Sequence, residues 1–436
     1  MTLLGPGTRW RNWGRSESST PRHVARPTSV DEVVEVVRQA RERGLTVKPI
    51  GAGHSFTAIA ATDGIQLDIS AIDGVLAVDG NLVTLGAGTN LYQLPALLGP
   101  HGLALANMGD IDRQTIAGAT STGTHGTGKN FGGLATQLRA VTIVTADATV
   151  LHVSHGDELF PAIALGLGAL GVLVDVTVEC VPAFVMRAVE RAEPFDLVTS
   201  EWQQRIDGAD HFEFYVFPGS DLVSTKTNTR MHNDTVRSDK SAVKDWIEDV
   251  VVNNWALAAM CNLGMVAPAV TPPLNRLAAK VSTKGEFTGS SHDVFVSPRT
   301  TRFKEMEYNI PQEAIPDALR DVQGALAKHR LTPSFPIEVR AAASDDLWLS
   351  TANGRESGYI AFHRYFREDP RHYFGLMEEI MVAYGGRPHW GKMHTRDADY
   401  LSAVYPRFAD FVAVRDRLDP DRLFRNAYLD RVLGAN

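Results

Sequence analysis

At 436 residues the chain exceeds what one hydrophobic core serves, so two domains are expected, and 44% apolar with 22% charged residues excludes a disordered or fibrous protein. A formal net charge of -8, with no basic stripe interleaved with aromatics, argues against a nucleic-acid partner. The two cysteines, Cys180 and Cys261, lie far apart and form no metal, redox or disulfide motif, which fits a reducing cytoplasm.

No charged segment followed by a sustained apolar run opens the chain, so no secretory signal is expected. Ser29 with Glu32 forms a capping box before Val33, Val34, Val36 and Val37, and Gly44 closes that helix. A strand over 46–50 then delivers Gly51-Ala52-Gly53-His54-Ser55. Glycines there leave no side chain between backbone and ligand, so main-chain donors can meet a pyrophosphate at contact distance. A tight turn with a satisfied histidine explains that run equally well by itself. The second run, Gly118 to Gly128, decides the matter: glycine and small hydroxyl residues alternate with no bulky apolar side chain, which makes a poor core strand and a good bed for a polar, extended ligand. Two such loops in one region predict an FAD site.

Hairpin signals follow at Asp79-Gly80-Asn81, between strands over 75–78 and 82–85, and at Ala146-Asp147, between strands over 138–144 and 150–153. His152 and His155 read as exposed strand-end residues. The run Gly166-Leu167-Gly168-Ala169-Leu170-Gly171 matches a dinucleotide fingerprint by letter, but a helix-like segment precedes it and a strand over 172–178 follows. A Rossmann site requires the reverse order, so a nicotinamide site is rejected and the glycines are read as a tight turn beside the flavin. The first domain is α+β and ends near Pro182.

Beyond it, the apolar stretch from Trp255 to Val270 is broken by Asn262, Gly264 and Pro268 and is too short to span a bilayer. It is expected to be a buried helix, with peripheral membrane contact as the alternative. Strand-like runs over 211–217, 287–296, 337–341 and 359–365 predict an antiparallel sheet with helices on one face. Glu338 and Arg340 share one face of a strand, as do His363 and Tyr365. A solvated surface ion pair is the plain reading of such residues. His389-Trp390-Gly391-Lys392 adds a lysine suited to stabilising developing negative charge. His389 and His394 have no carboxylate companion of the zinc-protease kind, so no metal is assigned.

Taken together and in order, the segment from Arg26 to Val33, Gly51 to Phe56, Asn107-Met108-Gly109, Ser121 to Gly128, Ile337-Glu338-Val339-Arg340, His389-Trp390-Gly391-Lys392, Leu418-Asp419-Pro420 and Leu423 to Leu429 resemble the vanillyl-alcohol-oxidase-type flavoproteins. The resemblance is to the aldonolactone oxidoreductases and sugar-alcohol oxidases within that family, and it spans essentially the whole chain. It implies an α+β, two-domain fold: a PCMH-type FAD-binding domain over 1–182 and an antiparallel-sheet substrate domain of the aldonolactone oxidase type over 183–436, with 400–436 packing back on the FAD domain. It implies FAD contacts from Ile50, Gly51, Ala52, Gly53, His54, Ser55, Gly109, Asp110, Thr115, Gly118, Ser121, Gly123, Thr124, His125 and Val174. A covalent bond from His54 to the flavin 8α-methyl is implied as well, with no second, cysteinyl link because no cysteine lies between Asn107 and Gly128.

Glu338, Arg340 and Lys392 take the catalytic roles in the same reading, and Asp110, His363 and Tyr365 line the substrate pocket. The implied reaction is oxidation of L-gulono-, L-galactono- or D-arabinono-1,4-lactone at C2, with hydride passing to flavin N5 and an ascorbate-type enediol as product. The sugar-alcohol oxidases carry serine at Asp110 and threonine at Tyr365, so alditols are the second substrate class. A flavin subunit that only passes electrons is the alternative from another class. Gly109, the small residue after Asn-Met, leaves a path for oxygen, yet both oxidase and dehydrogenase stay open, with oxygen, cytochrome c or a quinone as acceptor. A cytoplasmic protein with at most peripheral membrane contact is expected.

Overall fold

The computed structural model describes residues 4–238, 257–281, 283, 285–297 and 300–435. Its first sheet has four strands in the order β1 (Leu4–Pro6), β2 (His23–Ala25), β4 (Ile65–Asp68) and β3 (Val47–Ile50), with β2 and β3 both parallel to β4. Helix α1 (Val30–Glu42) feeds β3. Ser29 Oγ accepts from Glu32 N–H at 3.3 Å, while the Glu32 carboxylate reaches one residue further back than a capping box requires, to Thr28 N–H (2.7 Å) and Oγ (3.0 Å). Such a cap is worth about 1 kcal/mol. The helix buries Val33, Val36, Val37 and Ala40, and the chain leaves it through Gly44 at φ +60. β3 therefore points its C-terminal end, and Gly51, at the cleft described below.

The second sheet is antiparallel, in the order β8 (Val150–Ser154), β7 (Leu138–Val144), β9 (Val172–Glu179), β6 (Leu82–Gly86) and β5 (Val75–Asp79). Gly80, at φ +59, turns β5 into β6. Before β9 the order is short helix (Phe160–Ile163), glycine run, strand. A Cβ on Gly171 would sit 2.5 Å from the Val144 carbonyl oxygen, so that turn has room only for glycine.

From Val185 the chain builds an eight-stranded antiparallel sheet. Its order is β13 (Glu286–Ser290), β10 (Val185–Pro194), β12 (Leu222–Met231), β11 (His211–Val216), β15 (Ile337–Ala342), β16 (Ser357–Tyr365), β14 (Phe303–Pro311) and β17 (Arg387–Pro388). Side chains alternate across it with period two. Phe212, Phe214, Met306, Ile337, Val339, Ile360 and Phe362 face helices α2 (Ile315–His329) and α3 (Arg371–Ala383) in one core. The intervening residues, Glu213, Tyr215, Glu305, Glu307, Glu338, Arg340 and His363, make a polar floor on the opposite face.

Two expectations are corrected here. The stretch 287–296 is not one strand: β13 stops at Ser290, whose Oγ accepts from Asp293 N–H at 3.3 Å and starts a short helix, Ser291–Phe295. The apolar stretch is not a buried helix. Trp255 lies outside the described residues, and in Leu257–Val266 only Cys261 and Gly264 are buried, whereas Leu263, Met265 and Val266 are exposed. Among the described residues no helix is long and apolar enough to cross a membrane.

The last turn of the chain ties onto the first sheet. Leu423 O accepts from Val47 N–H at 2.8 Å, and Asn426 Nδ2 donates to the carbonyls of Ala58, Ile59 and Ala61. Lys48, fully buried in β3, donates to Gly168 O at 3.0 Å and Phe424 O at 3.2 Å. Desolvation pushes this ammonium down to about 7, against the pull of Asp419.

Candidate active site

A cleft of about 920 Å³, open to solvent, runs between the end of β3 and the glycine turn before β9. Ile50, Gly51, Ala52, Gly53, His54 and Ser55 form one wall, and Thr115, Gly118 and Ser121 another. The wall is main chain because nothing larger fits: a Cβ on Gly51 would lie 2.4 Å from Thr115 Oγ1, itself held by accepting from Gly118 N–H at 3.2 Å. Among the described residues no group accepts a hydrogen bond from the N–H of Ala52, Gly53, His54 or Ser55. A run of unengaged main-chain donors on a cleft without protruding side chains fits the pyrophosphate of FAD. Lys48 and Gln114 also line the cleft and were not apparent from the sequence, whereas Thr122 belongs to the second glycine run. Gln114 Nε2 donates to Thr124 Oγ1 at 2.9 Å from outside either glycine run, so composition gave no hint of it.

Two expected cofactor residues are absent from the walls. Val174 points into the core and its carbonyl accepts from Ala87 N–H at 3.0 Å; its strand neighbour Leu173 faces the cleft instead, as period two requires. Gly123 is a left-handed turn residue, φ +80, set against Leu165.

The cleft continues into an inner cavity, and His54, Ser55, Gln114 and Thr122 line both. Gly109, Asp110, Thr124 and His125 line this inner cavity. His54 stacks on Trp13 with ring centroids 5.5 Å apart. Desolvation, with help from the Lys392 and Arg113 charges, pushes its imidazole down to about 4, so it is neutral at ordinary pH.

The floor of this cavity is the polar face of the large sheet. Arg340 meets Glu338, two residues away on β15, directly, Glu213, its register partner on β11, at 3.1 Å, and Asp110 at 3.5 Å. Tyr215 donates its hydroxyl to Glu338 at 2.9 Å. Against the cost of burial, these carboxylates hold Arg340 well above its usual range. Burial pushes Glu338 up to about 6, with Asp110 and Glu213 adding to the shift and Arg340 opposing it.

Beside them Lys392 is bound by Glu305 and lies 5.4 Å from the centre of the Phe56 ring. Burial lowers this ammonium, but Glu305 and Glu307 outweigh it and raise it. Glu305 also faces His363 Nε2 at 3.6 Å, and His363 Nδ1 bonds the Pro336 carbonyl at 3.0 Å. Glu307, two residues along the same strand, lies 3.3 Å from His125 Nε2, which against the cost of burial keeps this carboxyl well below its usual range.

Of the expected catalytic residues, Arg340 and Lys392 line the cavity, whereas Glu338 lies beneath Arg340. The expected lining by His363 and Tyr365 is corrected. Glu305 draws His363 below Lys392, and Tyr365 packs with Phe56, Cys261, Phe303 and Phe335, its hydroxyl accepting from Asn262 Nδ2 at 3.3 Å. Glu213, Glu305 and Glu307 were missed, although the alternation of Glu305, Glu307 and Asn309 with Met306, Tyr308 and Ile310 is visible in the sequence.

His389 and His394 do not converge: His394 Nε2 bonds the Tyr428 hydroxyl at 3.0 Å. His389 instead joins His125 and Glu307, with ligating atoms within 4.8 Å of one another. Glu307 already faces an imidazole and feels the Lys392 ammonium, so the trio reads as a hydrogen-bonded part of the floor and not as a cation site. His152 and His155 are exposed, and His152 Nδ1 bonds Thr142 Oγ1 at 2.9 Å.

The FAD binding domain family model matches residues 21–154, and the D-arabinono-1,4-lactone oxidase model matches 176–432. The chain is 42% identical to an L-gulono-1,4-lactone dehydrogenase of Mycobacterium tuberculosis, covering 98% of this chain and 99% of that protein. It is 34% identical to the L-gulonolactone oxidase of Bos taurus, covering 98% of each. The crystal structure of cholesterol oxidase from B. sterolicum superposes with a TM-score of 0.82 over 99% of this chain and 97% of that one, at 17% identity, and so shares the fold. The chain belongs to the D-arabinono-1,4-lactone oxidase family of FAD-dependent oxidoreductases.

Proposed function

We infer that this protein oxidises the C2 hydroxyl of an aldono-1,4-lactone, with L-gulono-1,4-lactone the first compound to test. The observation that carries the reading is the placement of Arg340 and Lys392 on a cavity that opens, at His54, into the cleft. The names of the relatives supply the substrate class. FAD, when bound, supplies the two-electron acceptor.

The chain's own residues do the rest. The N–H groups from Ala52 to Ser55 hold the pyrophosphate, and the neutral imidazole of His54 is the attachment point for a covalent flavin. Arg340 orients the lactone oxygens. Glu338, paired with Arg340, assists loss of the proton from the C2 hydroxyl, and the ammonium of Lys392 faces the negative charge that develops as the substrate is oxidised. The lactone loses its C2 hydrogen as hydride, which carries two electrons to the acceptor, together with the hydroxyl proton, giving a 2-keto lactone that enolises. The exposed Leu263, Met265, Val266, Leu277 and Val281, on two adjoining helices, support peripheral contact with an apolar surface, which flotation with liposomes tests: protein that stays wholly with the unbound fraction contradicts it.

A panel of L-gulono-, L-galactono- and D-arabinono-1,4-lactone with xylitol and sorbitol, read by flavin bleaching and by turnover with a dye and with oxygen, tests the reaction. Lactones are expected to bleach the flavin faster than alditols. A flavin left oxidised by every compound would indicate an electron-passing subunit, and preference for an alditol would move the protein to the sugar-alcohol oxidases.

A further inference from the structure

The carboxylates on the floor outnumber its cations. Arg340 faces Glu338, Glu213 and Asp110, and Lys226, the next cation along, lies 3.8 Å from that same Glu213. Lys392 is held by Glu305. The fixed cations Lys226, Arg340 and Lys392 therefore stand against Asp110, Glu213, Glu305, Glu307 and Glu338, and protonating both His125 and His363 would only bring the floor to balance. At the rim Arg113 lies 3.3 Å from Asp112, which also faces His292 at 3.4 Å. Among the described residues, each cation that lines or underlies the cavity already has an acid partner.

Asp110 is the most exposed of these acids; Glu307 also lines the cavity, but its side chain is only 4% exposed and faces His125. The Asp110 side chain is 20% exposed against 7% for Glu213 and for Glu338, and it lines the cavity where they do not. An aldono-1,4-lactone is uncharged. Hydrolysis opens it to an acid whose carboxylate stands on the carbon next to C2, so with C2 over Arg340 that carboxylate meets Asp110 and finds no unpaired cation.

We propose that Asp110 makes this site selective for uncharged polyhydroxy compounds, so that the closed lactone is taken and its hydrolysed, anionic acid is turned away. The inference rests on the proposed function only in placing the substrate over Arg340 and Lys392. Like charges at this range in a partly buried site cost about tenfold in binding or more.

Calorimetric titration of the flavin-loaded protein with three chain-matched ligands tests it: sorbitol, gluconate and 1-amino-1-deoxysorbitol. In the wild type the aminopolyol and sorbitol are expected to bind at least about tenfold more tightly than gluconate. Asp110→Asn closes the gap between sorbitol and gluconate by about tenfold, and Asp110→Glu preserves it. If Asp110→Asn fails to hold flavin, Asp110→Ser replaces it and the wild-type ranking decides by itself. Gluconate binding the wild type as well as sorbitol, or a flavin-loaded Asp110→Asn with an unchanged ratio, overturns the proposal. Absence of lactone turnover with the ranking intact would refute the proposed reaction alone, and lactone turnover without the ranking would refute this inference alone.

Discussion

The cleft beside Gly51 and the floor under Arg340 meet at His54, yet they are built by opposite means. In the cleft the working groups are main-chain amides, and side chains are kept away: a Cβ on Gly51 would run into Thr115. On the floor the working groups are charged side chains brought from β11, β14, β15, β16 and the segment after β17, each answered by another. A backbone site binds by shape and tolerates little added volume. A side-chain site works by charge, and a shape-conserving substitution can silence it without disturbing what is bound next door.

That contrast yields its largest expected effect when the two parts are mutated in parallel. Lys392→Met, Arg340→Met and Glu338→Gln are expected to keep the flavin spectrum while slowing flavin reduction by about 100-fold or more. Gly51→Ala, with its 2.4 Å clash, is expected to lose flavin at purification. Between these lies His54→Ala, which should hold flavin that acid precipitation releases, whereas wild-type flavin stays with the pellet and fluoresces in a denaturing gel. Flavin freed quantitatively from the wild type would remove the covalent bond from the account.

The floor should also show itself in pH dependence. Glu338, pushed up to about 6 by burial, accepts a proton only as carboxylate, so flavin reduction is expected to rise as pH rises through about 6, and Glu338→Gln should lack that limb. Stability runs the other way. A carboxyl whose folded value is raised favours the folded state when protonated, so its contribution is fully present below the unfolded value and is lost as pH rises through about 6. Thermal melts against pH would expose the opposite slopes.

Glu305 sharpens the point more gently. It helps hold the Lys392 ammonium up, so Glu305→Gln should move the alkaline limb of the rate profile to lower pH while the flavin stays bound. An unmoved limb would mean that Lys392 does not depend on this partner. The smallest effect is expected at Gly109, where an added Cβ would lie 3.1 Å from the His125 carbonyl oxygen and need only a small shift. Gly109→Ala should spare turnover with a dye and suppress hydrogen peroxide, if the wild type forms it; an equal rate of reoxidation by oxygen would take Gly109 out of the oxygen path.

The two parts differed as much in how far the sequence disclosed them. The cleft is written in contiguous runs, from Gly51 to Ser55 and from Gly118 on, so its chemistry could be read as composition. Period two likewise placed Glu338 with Arg340 on one face. What joins Arg340 to Glu213 is strand pairing across 127 residues, and no local pattern reports that. His363 and Tyr365 were placed on the correct strand, but packing against Glu305 and Phe56 withdrew both from the cavity wall. Val174 fell one residue out of phase with its strand, and 287–296 was read through a helix cap at Ser290 that has the same letters a strand end has.

Anaerobic stopped-flow mixing of the flavin-loaded protein with L-gulono-1,4-lactone, run side by side on wild type and Lys392→Met, tests the account most directly. Complete bleaching of the wild-type flavin, slowed by about 100-fold in the variant at unchanged flavin content, is the predicted result. Equal rates in the two proteins, or a wild-type flavin that no lactone bleaches, would contradict it.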